Sequence, residues 1–109
     1  MPVMMRAASQ GATLLFERQV EVRVITLDDF YDLYSLPYID FIWCDVQGAE
    51  DLVIAGGRRA LAHTRYFYTE YYDTQMYEGQ IGAREIHARL PGTWKVVEQW
   101  PYHILCEHL

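Results

Sequence analysis

Ile39-Asp40-Phe41-Ile42-Trp43-Cys44-Asp45-Val46, running on into Gln47-Gly48-Ala49-Glu50, is the stretch whose reading decides the fold. Its first eight residues are apolar on both faces, the pattern of a strand covered on both sides of a parallel sheet, and they predict a central strand. Gln47 and Gly48 turn the chain into a helix with Leu52, Val53 and Ile54 buried, which Gly56-Gly57 interrupts and Arg58 to His63 resumes. Upstream, Glu21-Val22-Arg23-Val24-Ile25 alternates polar and β-branched residues and reads as a strand. Thr26-Leu27-Asp28-Asp29 then supplies a helix start, with Phe30, Leu33 and Tyr34 at helical spacing and the helix running to about Leu36, before Pro37. Downstream, Tyr66 to Tyr71 is a second apolar strand, Asp73 to Gly79 a polar loop, and Ala83 to Leu90 a helix stopped by Pro91-Gly92. Trp94 to Trp100 and Ile104 to His108, joined at Pro101-Tyr102, close the chain as a hairpin. The order β-α-β-α-β-α-β-β predicts an α/β domain: a mostly parallel sheet ending in an antiparallel pair, with helices on its faces.

Composition narrows the function classes. The 109 residues are 51% hydrophobic and 15% aromatic, enough for a core in one domain spanning 1–109, of which 1–19 is poorly patterned. Fifteen acidic residues against nine basic ones give a formal charge of −6, and the one lysine, Lys95, stands among scattered arginines. No broad basic surface for nucleic acid or an anionic membrane follows from that balance. The longest apolar run, Tyr38 to Cys44, is broken by Asp40 and is far short of the ~20 residues of a spanning helix. With no secretory core at the amino end and two cysteines, a soluble cytoplasmic protein is expected.

Ligands of open parallel sheets sit outside the carboxyl ends of the strands, which singles out Asp45 and Glu70. If their strands are neighbours, with centres ~4.8 Å apart, the two carboxylates face one pocket. Such a pair suits a general base, a cation, or a substrate amine or hydroxyl, and equally the capping of the turns that follow. Gln47 and Gly48 point into the same region as ligand contacts or plain turn residues. Asp28 and Asp29 read only as helix-start acids. His63, His87, His103 and His108 share no ligand spacing on one element, so no metal site is expected from them. Cys44 and Cys106 fall inside strands as small apolar filler, and Tyr71, Tyr72 and Tyr77 lie past a strand end, where they line a cleft or an interface.

Taken together, Ile25-Thr26-Leu27-Asp28-Asp29-Phe30, the block Ile39 to Glu50, Ala55-Gly56-Gly57 and a strand closing on Glu70 resemble the carboxyl-terminal half of FkbM-type methyltransferases. The family pattern reads T-L-D-D, a short helix, I-D-[FL]-I-K-I-D-V-[EQ]-G-A-E, a helix ending near a glycine, and a strand ending in Glu. The likeness runs from about Val20 to the closing hairpin and implies a partial class I methyltransferase (Rossmann-like) sheet. It implies methyl transfer from S-adenosylmethionine, commonly to a hydroxyl oxygen, with Asp45 and Glu70 as catalytic candidates and Gln47 and Gly48 beside the cofactor. Trp43 replaces the family lysine and Cys44 the aliphatic residue after it, and nothing before Val20 resembles the family's Gly-rich cofactor loop. Loss of the strand that precedes that loop would leave the Ile39 strand as an open edge. Three functions compete: a non-catalytic homo-oligomeric module, expected as a homodimer; an O-methyltransferase completed by a second copy or by a partner chain supplying the amino-terminal half; and a small metal- or ligand-binding protein using Asp45 and Glu70.

Overall fold

A computed structural model describes residues 19–72, 74 and 79–109, and the segment before residue 19 and Tyr77 lie outside it. Its elements are α1 (Leu27–Leu33), β1 (Ile39–Cys44), α2 (Glu50–Ala55), α3 (Arg58–Ala62), β2 (Thr64–Glu70), α4 (Ala83–Arg89), β3 (Trp94–Trp100) and β4 (His103–His108). The four strands form one sheet in the order β1-β2-β4-β3. Only β1 and β2 are parallel; β2 with β4 and β4 with β3 are antiparallel. The sheet is therefore mixed, not mostly parallel as the alternation of elements suggested. The chain reaches β3 through α4, and the tight turn at Pro101-Tyr102, with Tyr102 at φ 74°, folds β4 back between β3 and β2.

Two further expectations fail for one reason. Glu21 to Ile25 is not a strand: Val22, Val24 and Ile25 are 53, 41 and 50% exposed and the segment joins no ladder. With no such strand beside it, β1 is an edge of the described sheet, not its centre, and Phe41 and Trp43 are 51 and 73% exposed. An alternating pattern specifies a strand only when a neighbour satisfies its N–H and C=O groups.

The core lies on one face of the sheet. Cys44, Phe67, Ile104, Cys106 and Trp94 pack there against Ile54 of α2, Leu61 of α3 and Ile86 of α4. Burial pushes both thiols up to about 11, so they act as apolar filler. His108 stacks on Trp94 at 4.6 Å, while His87 Nε2 lies 2.7 Å from the Trp94 carbonyl oxygen. The opposite face carries no described helix. On it Tyr68 is ringed by Phe41, Trp43, Trp100 and His103 at centroid distances of 6.3, 6.1, 6.2 and 5.5 Å.

The helical layer is held by one acid and one glycine. Thr26 caps α1 in a reciprocal box with Asp29. Asp28, read from sequence as a helix-start acid and nothing more, does a second job. Its carboxylate accepts the Arg59 and Ala60 N–H groups at 3.3 and 2.8 Å, capping α3, whose own N-cap is the side-chain-less Gly57. A Cβ on Gly57 would stand 2.7 Å from Leu27 Cδ2 and 2.9 Å from the Val53 oxygen, so glycine is what lets α1 close on the α2–α3 break. Replacing Asp28 with alanine removes the cap of one helix while leaving Thr26 and Asp29 on the other. Urea unfolding should report a loss of about 1 kcal/mol for Asp28→Ala, and a smaller loss for the exposed Asp29→Ala.

Candidate functional site

Parallel pairing brings the carboxyl ends of β1 and β2 to the same end of the sheet. The register Cys44↔Thr69 sets Asp45 and Glu70 at adjoining strand ends. After Asp45 the chain turns through two left-handed residues, Gln47 at φ 52° and Gly48 at φ 94°, before entering α2. Glycine takes that conformation freely, whereas at Gln47 it stores roughly 1–3 kcal/mol that surrounding contacts must offset. Those contacts are visible. Gln47 Nε2 donates to Asp45 Oδ1 at 3.0 Å, and the Tyr72 hydroxyl lies 3.5 Å from Gln47 Oε1.

The same hydroxyl donates to Glu70 Oε1 at 2.5 Å. Asp45, Gln47, Tyr72 and Glu70 thus stand side by side across the two strand ends, joined by the Gln47–Asp45 and Tyr72–Glu70 hydrogen bonds, with Asp45 exposed and the other three half-buried. All the sequence-selected residues meet here except Gly48, which is buried with its N–H directed at Glu50 Oε1 at 3.4 Å. Tyr72 is the member whose role the sequence did not disclose. Nothing in the run Tyr71-Tyr72 distinguishes the two, yet Tyr71 turns inward, its hydroxyl on the Trp100 oxygen at 2.6 Å, and Tyr72 turns to the site. Gln80 fixes the loop that presents it, donating to the Tyr72 and Thr74 carbonyl oxygens at 3.2 and 2.8 Å.

Glu50 is the other residue missed. Read as a first-turn acid, it is only 2% exposed beneath the turn. Burial raises its pKa, opposed by its own N–H and that of Gly48 and reinforced by Asp51 and Glu70. Two clefts, of about 480 and 290 Å³, lie elsewhere: one at the opposite end of the strands between Tyr38, Arg65 and His108, the other between α2 and α4. Neither gathers the strand-end groups, which among the described residues make a polar corner with Asp45 exposed.

Comparison with known proteins gives this corner its context. The family model for the methyltransferase FkbM domain matches residues 3–102, and the chain belongs to that family. The match begins well before Val20, where the motifs alone had placed the start of the likeness. The 2-O-methyltransferase NoeI of Sinorhizobium fredii (strain NBRC 101917 / NGR234) is 46% identical over 86 residues, covering 79% of this chain and 35% of that protein. The chain thus spans about a third of the length of this relative. No solved structure matches.

Membership implies use of S-adenosylmethionine, and the described residues do not by themselves fit that group. The Gly48 N–H is spent on Glu50, the Gln47 amide is tied to Asp45, and no second glycine-rich turn from strand to helix stands beside them. No helix among the described residues is long and apolar enough to cross a membrane.

The raised Glu50 pKa sets a sign that can be measured. An acid that binds its proton more tightly when folded contributes stability fully below its unfolded value of 4.5, and loses that contribution as pH rises through the higher folded value. Glu50→Gln keeps an acceptor for Gly48 and has no charge to bury. Urea midpoints should therefore shift in favour of the variant as pH is raised above 4.5; a difference between the two proteins that does not change with pH would show that Glu50 ionises without penalty.

Proposed function

We propose that this chain is an FkbM methyltransferase domain that carries the acceptor side of an O-methyl-transfer site but does not act alone, working as a homo-oligomeric module. In this reading the order β1-β2-β4-β3 with its antiparallel hairpin is the second half of a class I, Rossmann-like methyltransferase sheet. Asp45 and Glu70 are the groups that orient and deprotonate an acceptor hydroxyl, and Gln47 and Gly48 border the cofactor side. The activity of the relative, 2-O-methyl transfer, supports hydroxyl over amine or carbon as the acceptor.

One observation carries the reading: the polar corner stands at the carboxyl end of β1, an edge strand with no described neighbour on the side away from β2. Among the described residues, a ligand held by Asp45 and Glu70 is walled on the β2 side alone. The same edge, together with the aromatic face around Tyr68, supports association with a second copy, since an unpaired apolar edge strand pairs or aggregates unless covered. An active enzyme whose cleft is completed by that copy, or by a partner chain, is the second reading, favoured by the two hydrogen bonds, Gln47 to Asp45 and Tyr72 to Glu70, that hold the strand-end groups.

Light scattering on the purified chain should give twice the 12.8 kDa of the protomer, and Trp43→Asp, which sets a charge on the exposed face, should return a monomer. Titration calorimetry of the dimer with S-adenosylmethionine and S-adenosylhomocysteine should give no heat. Binding tighter than ~100 μM, roughly −5.5 kcal/mol, would favour the completed cleft; a monomeric wild-type chain would sink the module.

A further inference from the structure

The chain turns from β3 into β4 through Pro101 and Tyr102, and Tyr102 takes φ 74°. Glycine or asparagine fills that left-handed conformation in turns, and for a bulky aromatic residue it is strained. Such strain persists where the surrounding structure holds it, and here one residue does so with two bonds. Tyr71 donates its backbone N–H to the Tyr102 carbonyl oxygen at 2.8 Å and its hydroxyl to the Trp100 carbonyl oxygen at 2.6 Å, gripping the turn on either side of Pro101. Tyr71 is itself buried, and Gln99 Nε2 donates to its hydroxyl at 3.2 Å.

The grip presents a ring to solvent. Tyr102 is 55% exposed, so core packing does not account for an aromatic residue at this position. A residue chosen for the turn alone would be glycine, which takes φ 74° without penalty. The register Glu70↔His103 sets the turn beside the end of β2, at the same end of the sheet as the candidate site. There the Tyr102 ring stands 6.5 Å from that of Tyr72, tilted by 51°, and the Tyr72 hydroxyl is bonded to Glu70. Two angled aromatic rings thus flank a carboxylate that can accept a proton.

We propose that Tyr102 is a ligand-contacting wall of the candidate site, and that it selects hydroxyl compounds whose reacting oxygen is carried next to a flat ring. The inference rests on the reading of this corner as an acceptor site and adds to it the shape of the acceptor. A planar ring laid on Tyr102 brings its hydroxyl substituent to the Glu70 side. A flexible aliphatic alcohol offers the same hydroxyl and no face to stack, so the wall distinguishes the two by stacking, roughly fivefold for one aromatic contact.

Nuclear magnetic resonance titrations of the labelled full chain with benzyl alcohol and with 1-butanol test this. Benzyl alcohol should shift the signals of Tyr102, Tyr72 and Glu70 and bind roughly fivefold more tightly than 1-butanol. Tyr102→Gly should erase that preference, and Tyr102→Phe should keep it. The urea midpoint of Tyr102→Gly should not fall, because glycine suits the turn. A lower midpoint would assign the ring to the fold and overturn the proposal. So would a preference that survives in Tyr102→Gly, the absence of any preference in the wild type, or benzyl alcohol shifts confined to the aromatic face around Tyr68. Glu70→Ala reads the corner separately and should weaken both alcohols alike. If it weakens neither while Tyr102→Gly still erases the preference, the hydroxyl-binding reading of the corner fails and the aromatic wall stands.

Discussion

Parallel strands cannot be joined by a hairpin, and the chain leaving β1 at Cys44 must travel back along the sheet before β2 can start beside it at Thr64. The return is made by two short helices with a glycine pair between them, and the helical layer follows from that detour. Six- and five-residue helices are too short to be stable by propensity, so each depends on its contacts. Ile54 and Leu61 drop into the core, Thr64 Oγ1 ties the end of the detour to the Ala60 carbonyl oxygen at 2.7 Å, and α1 braces the glycine break from outside. The site inherits its geometry from the same constraint, because only a parallel pair delivers two strand-end carboxylates to one place.

The sheet divides the molecule into a closed side and an open one. On the closed side every buried side-chain polar atom among the described residues has a partner, and Phe67, Ile54, Leu61 and Ile104 are essentially inaccessible. Outward, aromatic rings pack face to face and edge to face with no described helix over them. Exposed aromatic surface of this kind marks an interaction site. That asymmetry, more than any single residue, divides the described sheet into a packed face and an aromatic one.

How much was legible in the sequence depended on whether the signal was local. Thr26 with Asp29, the Gly56-Gly57 break, the turn at Pro101-Tyr102 and the strands ending before Asp45 and at Glu70 are all set by neighbours a few residues away, and each appears close to where the residues place it. The local pattern misread Glu21 to Ile25 as a strand and β1 as central, because strand pairing depends on a neighbour that pattern does not contain; the open edge of β1 followed only from the family resemblance. At the site, Asp45 and Glu70 could be selected from the rule about strand ends, which uses only order and type. Tyr72 could be selected only as one of three tyrosines past a strand end, because its bond to Glu70 depends on side-chain geometry that residue order and type do not carry. Asp28 was hidden for the same reason: its partner N–H groups lie 31 and 32 residues on.

That last contact has a bearing on motion. Helix α1 buries none of its residues fully, and Phe30, Leu33 and Tyr34 stand open to water at its surface. Such an element belongs to the least protected layer of a protein, the part that opens and closes while the core stays shut. Because the carboxylate that caps α3 is carried on α1, each opening of α1 uncovers the Arg59 and Ala60 amides as well. The two helices therefore share that event at the amino end of α3, while Leu61 in the core and the Thr64 bond to the Ala60 carbonyl hold the rest of α3 on the sheet.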